Sequence, residues 1–214
     1  MKNKLISNVF IWLFVGLLVT FVTSYTITLN DNMVEKVYGG FYWIILIAEI
    51  GVAIFLSARI NKMSKPTAIC LYLLYAFLTG LTLAYVFIIY TTSSLAIVFL
   101  ITCVLFGLFA LIGKFTNLDL TKFGTYLMMA LIAILILSLI NAFVGNSLLD
   151  TVICALGVIV FLGYTAYDLN KIIKSSEFIT DEESNLPIIY AFTLYIDFIN
   201  LFIDLLRLFG KTDD

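Results

Sequence analysis

Residues 192–210 read FTLYIDFINLFIDLLRLFG. Almost every side chain here prefers hydrocarbon, yet Asp197, Asn200, Asp204 and Arg207 break the run at steps of three, four and three. That spacing sets them along one stripe of an α-helix. A helix of this kind is stable where protein covers the stripe, and the rest of the chain decides in which solvent. Of its 214 residues, 63% are hydrophobic and only 12% charged, about half the charge of an average soluble domain. No water-soluble globule of this size has an interior that could take up so much apolar surface.

A span of about 20 apolar residues crosses the roughly 30 Å of bilayer hydrocarbon. Seven stretches qualify, at about 6–29, 37–58, 67–90, 94–113, 123–144, 148–170 and 187–209. The connections between them are short and polar: NDNMVEK, RINKMSKP, TTSS, KFTNLDLTK, GNS and KIIKSSEFITDEESNLP. The first stretch is too long for a secretory leader, no small-residue cleavage site follows it, and six more stretches come after. Spanning backbone must satisfy its own hydrogen bonds, so the segments are helices or strands of a closed barrel. The alternating segments of a barrel are absent from the pattern. The expectation is an all-α integral membrane protein, one seven-helix domain over 1–214, with no linker long enough to divide it.

Composition removes several functions. There is no histidine, so the usual pH switch, the commonest metal ligand and the Ser-His and Cys-His nucleophile pairs are all missing. The net charge of −2 gives no attraction for nucleic acid. Cys70, Cys103 and Cys154 each lie inside an apolar run and read as buried, reduced thiols. No cofactor is expected, and no catalytic residue.

Ionisable groups within spans cost on the order of 2.5–3.5 kcal/mol each at mid-helix, so they are functional candidates by default. Glu49 sits near the middle of the second span, with Arg59 at its end. Asp168 lies near the end of the sixth span, and Asp197 and Asp204 lie in the seventh. If Lys171 and Lys174 snorkel to the interface, Asp168 lies roughly 9 Å and Asp197 roughly 12 Å inside the same boundary at about 1.5 Å per residue. Two carboxylates at one depth on consecutive antiparallel helices can meet, and Arg59 ends a span on that side. Glu49 has an alternative as a structural hydrogen bond to a neighbouring helix. Asp204 and Arg207, three apart, read as an intrahelical pair.

GYTAYDLNKI (163–172) followed by LYIDFINLFIDLLRLFG (194–210) resembles the paired signature of the Bax inhibitor-like family, also described by its transmembrane BAX inhibitor motif. TGLTLAYVF (79–87), the acidic residue in the second span and the arginine at its end agree with it. The chain departs from the family pattern at Asp204, where bacterial relatives often have Asn, and at Ala84-Tyr85, where many have Gly-Pro. The resemblance implies two three-helix layers around a central C-terminal helix, which would cover the polar stripe with protein. It also implies a pH-sensitive calcium leak of the bacterial plasma membrane. Asp168 and Asp197 would form the sensor, Arg59 would latch onto the first of them, and Glu49 would line the ion path. Asn200, Asp204 and Arg207 are secondary polar candidates.

Physical chemistry is compatible with that role. Two carboxylates within about 3 Å cannot both ionise cheaply, so such a pair can titrate near neutrality as a unit without histidine. Calcium takes six to eight oxygen ligands, and Glu49, Asp168 and Asp197 offer only a weak, transient site. Calcium ions, protons and the lipid bilayer are thus the expected partners. A different class is a modulator of a membrane protease or of a stress or cell-death response, as described for some members of the family. An intramembrane aspartyl protease is a third class, since Tyr167-Asp168 and Asp197 resemble its two aspartates. That class carries Gly-x-Gly-Asp at its second aspartate, where this chain has Leu-Tyr-Ile-Asp, and a later Pro-Ala-Leu, which is absent. A proton-coupled cation exchanger would be told apart by obligatory proton counterflow.

The orientation follows from Lys and Arg counted on alternate connections. Nine of the twelve fall on the side of the N-terminus and three on the other. The N-terminus is expected in the cytoplasm and the C-terminus outside. A cysteine placed after Lys211 should therefore react with an impermeant thiol reagent on intact cells; labelling only after lysis would reverse the orientation.

Overall fold

A computed structural model of the chain describes residues 2–59, 62–116, 120–175 and 185–212. Among these residues it is helical throughout, with seven segments long and apolar enough to cross a membrane. In chain order the helices are α1 (Lys2–Thr28), α2 (Asp31–Lys36), α3 (Tyr42–Arg59), α4 (Lys65–Ile89), α5 (Thr92–Phe115), α6 (Thr121–Val144), α7 (Ser147–Ser175) and α8 (Leu186–Phe209). A wider π-helical turn, Val37–Phe41, joins α2 to α3, so the second span runs over Asp31–Arg59.

Two ends differ from the hydropathy pattern for local reasons. NDNMVEK is expected as a connection, but the Asn30 side chain accepts hydrogen bonds from the backbone N–H groups of Asn32 and Met33. That cap starts a helix while the sequence is still polar. The sixth span continues to Ser175 because Lys171 and Lys174 are good helix formers and pass smoothly from hydrocarbon to water. At the start of α4, the Ser64 hydroxyl caps the Thr67 N–H and Pro66 occupies the first turn, where its missing N–H costs nothing.

The chain packs as two compact units. One contains residues 1–91, 179–195 and 212–214, the other 92–178 and 196–211. Each therefore holds three spanning helices and part of α8. In the first unit, α1 and α4 are joined by polar side chains that find backbone partners. The Thr20 hydroxyl reaches the Ala76 carbonyl at 2.9 Å, the Ser24 hydroxyl the Gly80 carbonyl at 2.8 Å, and the Tyr72 hydroxyl the Trp12 carbonyl at 2.9 Å. Tyr195 of α8 meets Thr20 at 2.5 Å, and its ring packs edge-on against Tyr72 and Tyr75. Such hydrogen bonds matter in a bilayer because lipid offers these groups no partner.

In the second unit α7 is the hub. Ile153 and Val160 of α7 pack with Ile134 of α6. The Asn170 amide donates to the Gly113 carbonyl of α5 at 3.0 Å, and Gly113 lies directly against the backbone of Ala166. Phe198 of α8 packs edge-on against Phe99 and Phe106 of α5.

The outward faces carry large apolar side chains: Phe14, Trp43, Ile47, Leu100, Leu139 and Phe143 are all well exposed. Patches of this kind are foreign to soluble monomers and suit hydrocarbon. In α8, 61% of the spanning window is buried, against 6% for the second and fifth spans, so the last helix is the one most covered by protein. Cys154 is buried as expected, whereas Cys70 and Cys103 are exposed. An apolar run identifies a span but not its inward face, and a thiol is equally at ease toward lipid. The ends of the chain agree with an odd number of crossings. Thr212 pairs with Tyr90 at the end of α4, and the Lys211 N–H donates to Ser94 at the start of α5 at 2.8 Å.

The α5–α7 contact gives a test. A methyl group on Gly113 would collide with the Ala166 carbonyl, whereas Gly107 on the same helix has nothing within 4 Å. Gly113→Ala should lower stability by about 1–3 kcal/mol, the usual cost of overpacking, and Gly107→Ala should leave it unchanged. Thermal unfolding of both variants in detergent checks this.

Candidate functional site: a buried carboxyl pair and a clamped glutamate

The second unit brings Asp168 of α7 and Asp197 of α8 together. Their carboxyl groups lie close enough to interact directly, and both residues are buried, at 7% and 4% exposure. A hydrogen bond between two carboxyls needs a proton on one of them, because an ionised carboxylate only accepts. The depths estimated from snorkelling lysines thus put the two groups at one level, and the helices do join them. Among the described residues, Asp197 Oδ2 and the Tyr164 hydroxyl are buried without a hydrogen-bond partner. Tyr164 stands one turn before Asp168 on α7; the four-residue spacing in GYTAYD is its signal in the sequence.

Further along α8 the polar stripe continues against the same helix. The Asp204 carboxylate rests where a side chain on Gly157 of α7 would otherwise stand. Arg207 forms an ion pair with Asp150 at the start of α7, and Asn141 of α6 also reaches Asp150, at 3.5 Å. Arg207 therefore pairs across helices, where the three-residue spacing suggests Asp204 as its partner. Both charged partners remain about two-fifths exposed, so the pair counts as a surface pair of small energy. Asn200 donates back to the Ile196 carbonyl of its own helix at 2.8 Å.

The first unit holds the other acidic candidate. Glu49 of α3 is half-buried, and its two carboxylate oxygens accept from two hydroxyls of α4. Thr79 donates to Oε1 at 2.8 Å and Thr82 to Oε2 at 3.0 Å. The interhelical hydrogen bond that the sequence leaves open for Glu49 is thus present. Thr79 and Thr82 belong to TGLTLAYVF, where they read as neutral members of an apolar span. Arg59 closes α3 in this unit with its side chain exposed; Asp168 and Asp197 belong to the other unit. Among the described residues no group of three or more Cys, Asp or Glu side chains is gathered into a metal site.

Seven apolar helices, with two carboxyls buried against each other in the second unit, define a polytopic membrane protein that carries ionisable groups away from water. Residues 2–214 match the family model described as "Inhibitor of apoptosis-promoting Bax1", and the chain belongs to that Bax inhibitor family. It is 41% identical over 211 residues to the inner membrane protein YbhL of Escherichia coli K12, covering 96% of this chain and 90% of that one. A protein of Rickettsia prowazekii is 38% identical over 216 residues, covering 99% and 91%. One of Borreliella burgdorferi is 37% identical over 215 residues, covering 98% and 93%.

A glycine that admits a carboxylate gives a second packing test. Gly157→Ala should cost less stability than Gly113→Ala, because the added methyl group displaces the end of the Asp204 side chain and not a backbone carbonyl. Asp204→Asn, which keeps the shape, should be tolerated. Thermal unfolding separates the two.

Proposed function

We propose that the protein is a pH-gated calcium leak pathway of a bacterial plasma membrane, with Asp168 and Asp197 as its sensor. The observation that carries this is the carboxyl pair itself, buried and in contact within a chain that has no histidine. Support for the location comes from the seven spans and from the similarity to YbhL, an inner membrane protein. Glu49 lies on the ion path, and Arg59 is the latch that holds the ionised aspartates with the pathway closed. Calcium passes as a permeating ion and binds only transiently at Glu49, Asp168 and Asp197.

The sign of the pH effect follows from charge. Protonating a carboxylate removes its attraction to Arg59, on the order of 4 kcal/mol at 4 Å and an effective dielectric of 20. Desolvation takes back part of this, leaving a bias of about 1–2 kcal/mol, and about 1.4 kcal/mol is a factor of ten. Protons therefore favour the unlatched, conducting state, and flux rises as the cytoplasmic side is acidified.

Calcium flux into proteoliposomes tests the assignment. The parent should leak about tenfold faster at pH 6 than at pH 8. Asp168→Asn and Arg59→Ala should leak at both pH values, and Arg59→Lys should be intermediate, because it keeps the charge but not the planar fork. If all three variants keep the parent's profile, the sensor and latch are wrong. If the parent carries no calcium at either pH and a membrane protease co-purifies with it, the protein is instead a membrane-embedded modulator.

A further inference from the structure

Glu49 differs from the aspartate pair in what surrounds it. Its helix neighbours Ile47 and Ile50 are turned outward, 68% and 51% exposed, so the carboxylate stands at the edge of an apolar surface. Its partners are two hydroxyl donors, one to each oxygen. Thr79 is almost fully buried, at 3% exposure, and donates to Oε1, with the hydroxyls of Tyr75 and Tyr195 also in reach of its own. The Thr82 hydroxyl also lies 3.0 Å from the Thr79 carbonyl, so its proton is shared. Two phenols lie nearby on the elements packed here. Tyr75 of α4 faces Glu49, and Tyr38 of the π-helical turn donates to the carbonyls of Leu81 and Thr82. No cation is shown against this carboxylate among the described residues, and two hydroxyls donate to it.

We infer that Thr79 and Thr82 are positioning residues for the ion path, a two-hydroxyl clamp that keeps Glu49 ionised and aimed in one direction inside the membrane. This rests on Glu49 being part of that path. Hydrogen bonds donated to a carboxylate favour its charged form, and each oxygen keeps further acceptor capacity for a passing cation. The clamp also fixes the side chain's rotamer, so an arriving ion meets a preformed pair of oxygens.

Thr→Val keeps the branched shape and removes the hydroxyl, and Thr→Ser keeps the hydroxyl. In proteoliposomes at pH 6, calcium flux of the Thr79→Val/Thr82→Val protein should fall by about tenfold or more, since the loss of even one of its two charge-assisted hydrogen bonds is worth about a factor of ten. Thr79→Ser/Thr82→Ser should restore it, and Glu49→Gln should be as low as the valine variant. Infrared difference spectra against Glu49→Gln should show an ionised glutamate in the parent and serine proteins, replaced by a protonated one in the valine protein. Parental flux and an ionised glutamate in a folded valine variant would overturn the clamp while leaving Glu49 on the path. Parental flux in Glu49→Gln would remove Glu49 from the path, and the clamp with it. If the double valine variant does not fold, Thr79→Val against Thr79→Ser makes the same distinction with one hydroxyl.

Discussion

A polar group within hydrocarbon has only the protein to turn to for a partner, and most of the packing follows from that one constraint; among the described residues the Tyr164 hydroxyl and Asp197 Oδ2 are left without one. Hydroxyls on the helices turn back to carbonyls four residues earlier, as Thr102 does to Val98 and Thr165 to Phe161. Where they cross between helices, as Thr20 and Ser24 do to α4, they mark the faces that pack. The ridge-and-groove fit then follows the polar contacts: Gly113 brings α5 onto the backbone of α7 at the turn beside the Asn170 hydrogen bond.

The acidic residues meet the same constraint in two chemically different ways. Glu49 is given donors, so it can remain a carboxylate. Asp168 and Asp197 are given each other, a pairing of two acids with no donor of the hydroxyl kind. A fixed charge suits attraction of a cation, and a pair of acids suits a response to pH. Under the proposed function, conduction and gating are thus separated by the kind of hydrogen-bond partner each carboxyl has, with no need for histidine.

The sequence makes the spans and the aspartate pair legible for one reason: depth. Hydropathy places each helix across the bilayer, and a residue's distance from a flanking lysine gives its level, which suffices for Asp168 and Asp197. What depth leaves open is rotation about the helix axis. Cys70 and Cys103 lie in apolar runs, and the side of the helix they occupy depends on packing that hydropathy does not encode. Thr79 and Thr82 are hidden for a related reason, since a threonine within a span is equally at home bonding its own helix. Asp150 does not stand out as a partner because an acidic residue in the first turn of a helix already has a local rationale in the helix dipole.

The stripe on α8 shows how far one seam can organise a unit. Asp197, Asp204 and Arg207 meet Asp168, Gly157 and Asp150 in turn. Numbers fall along α7 as they rise along α8, as antiparallel helices require. The three contacts differ in kind: carboxyl on carboxyl where the pair is buried, carboxylate on glycine in the middle, and an ion pair where the seam becomes exposed. That order follows the cost of charge, which falls toward water. A full ion pair stands at the exposed end, whereas at the buried end two carboxyls face each other across the seam. The polarity of this greasy helix is therefore graded along a single interface, from a buried carboxyl pair at one end to an exposed ion pair at the other.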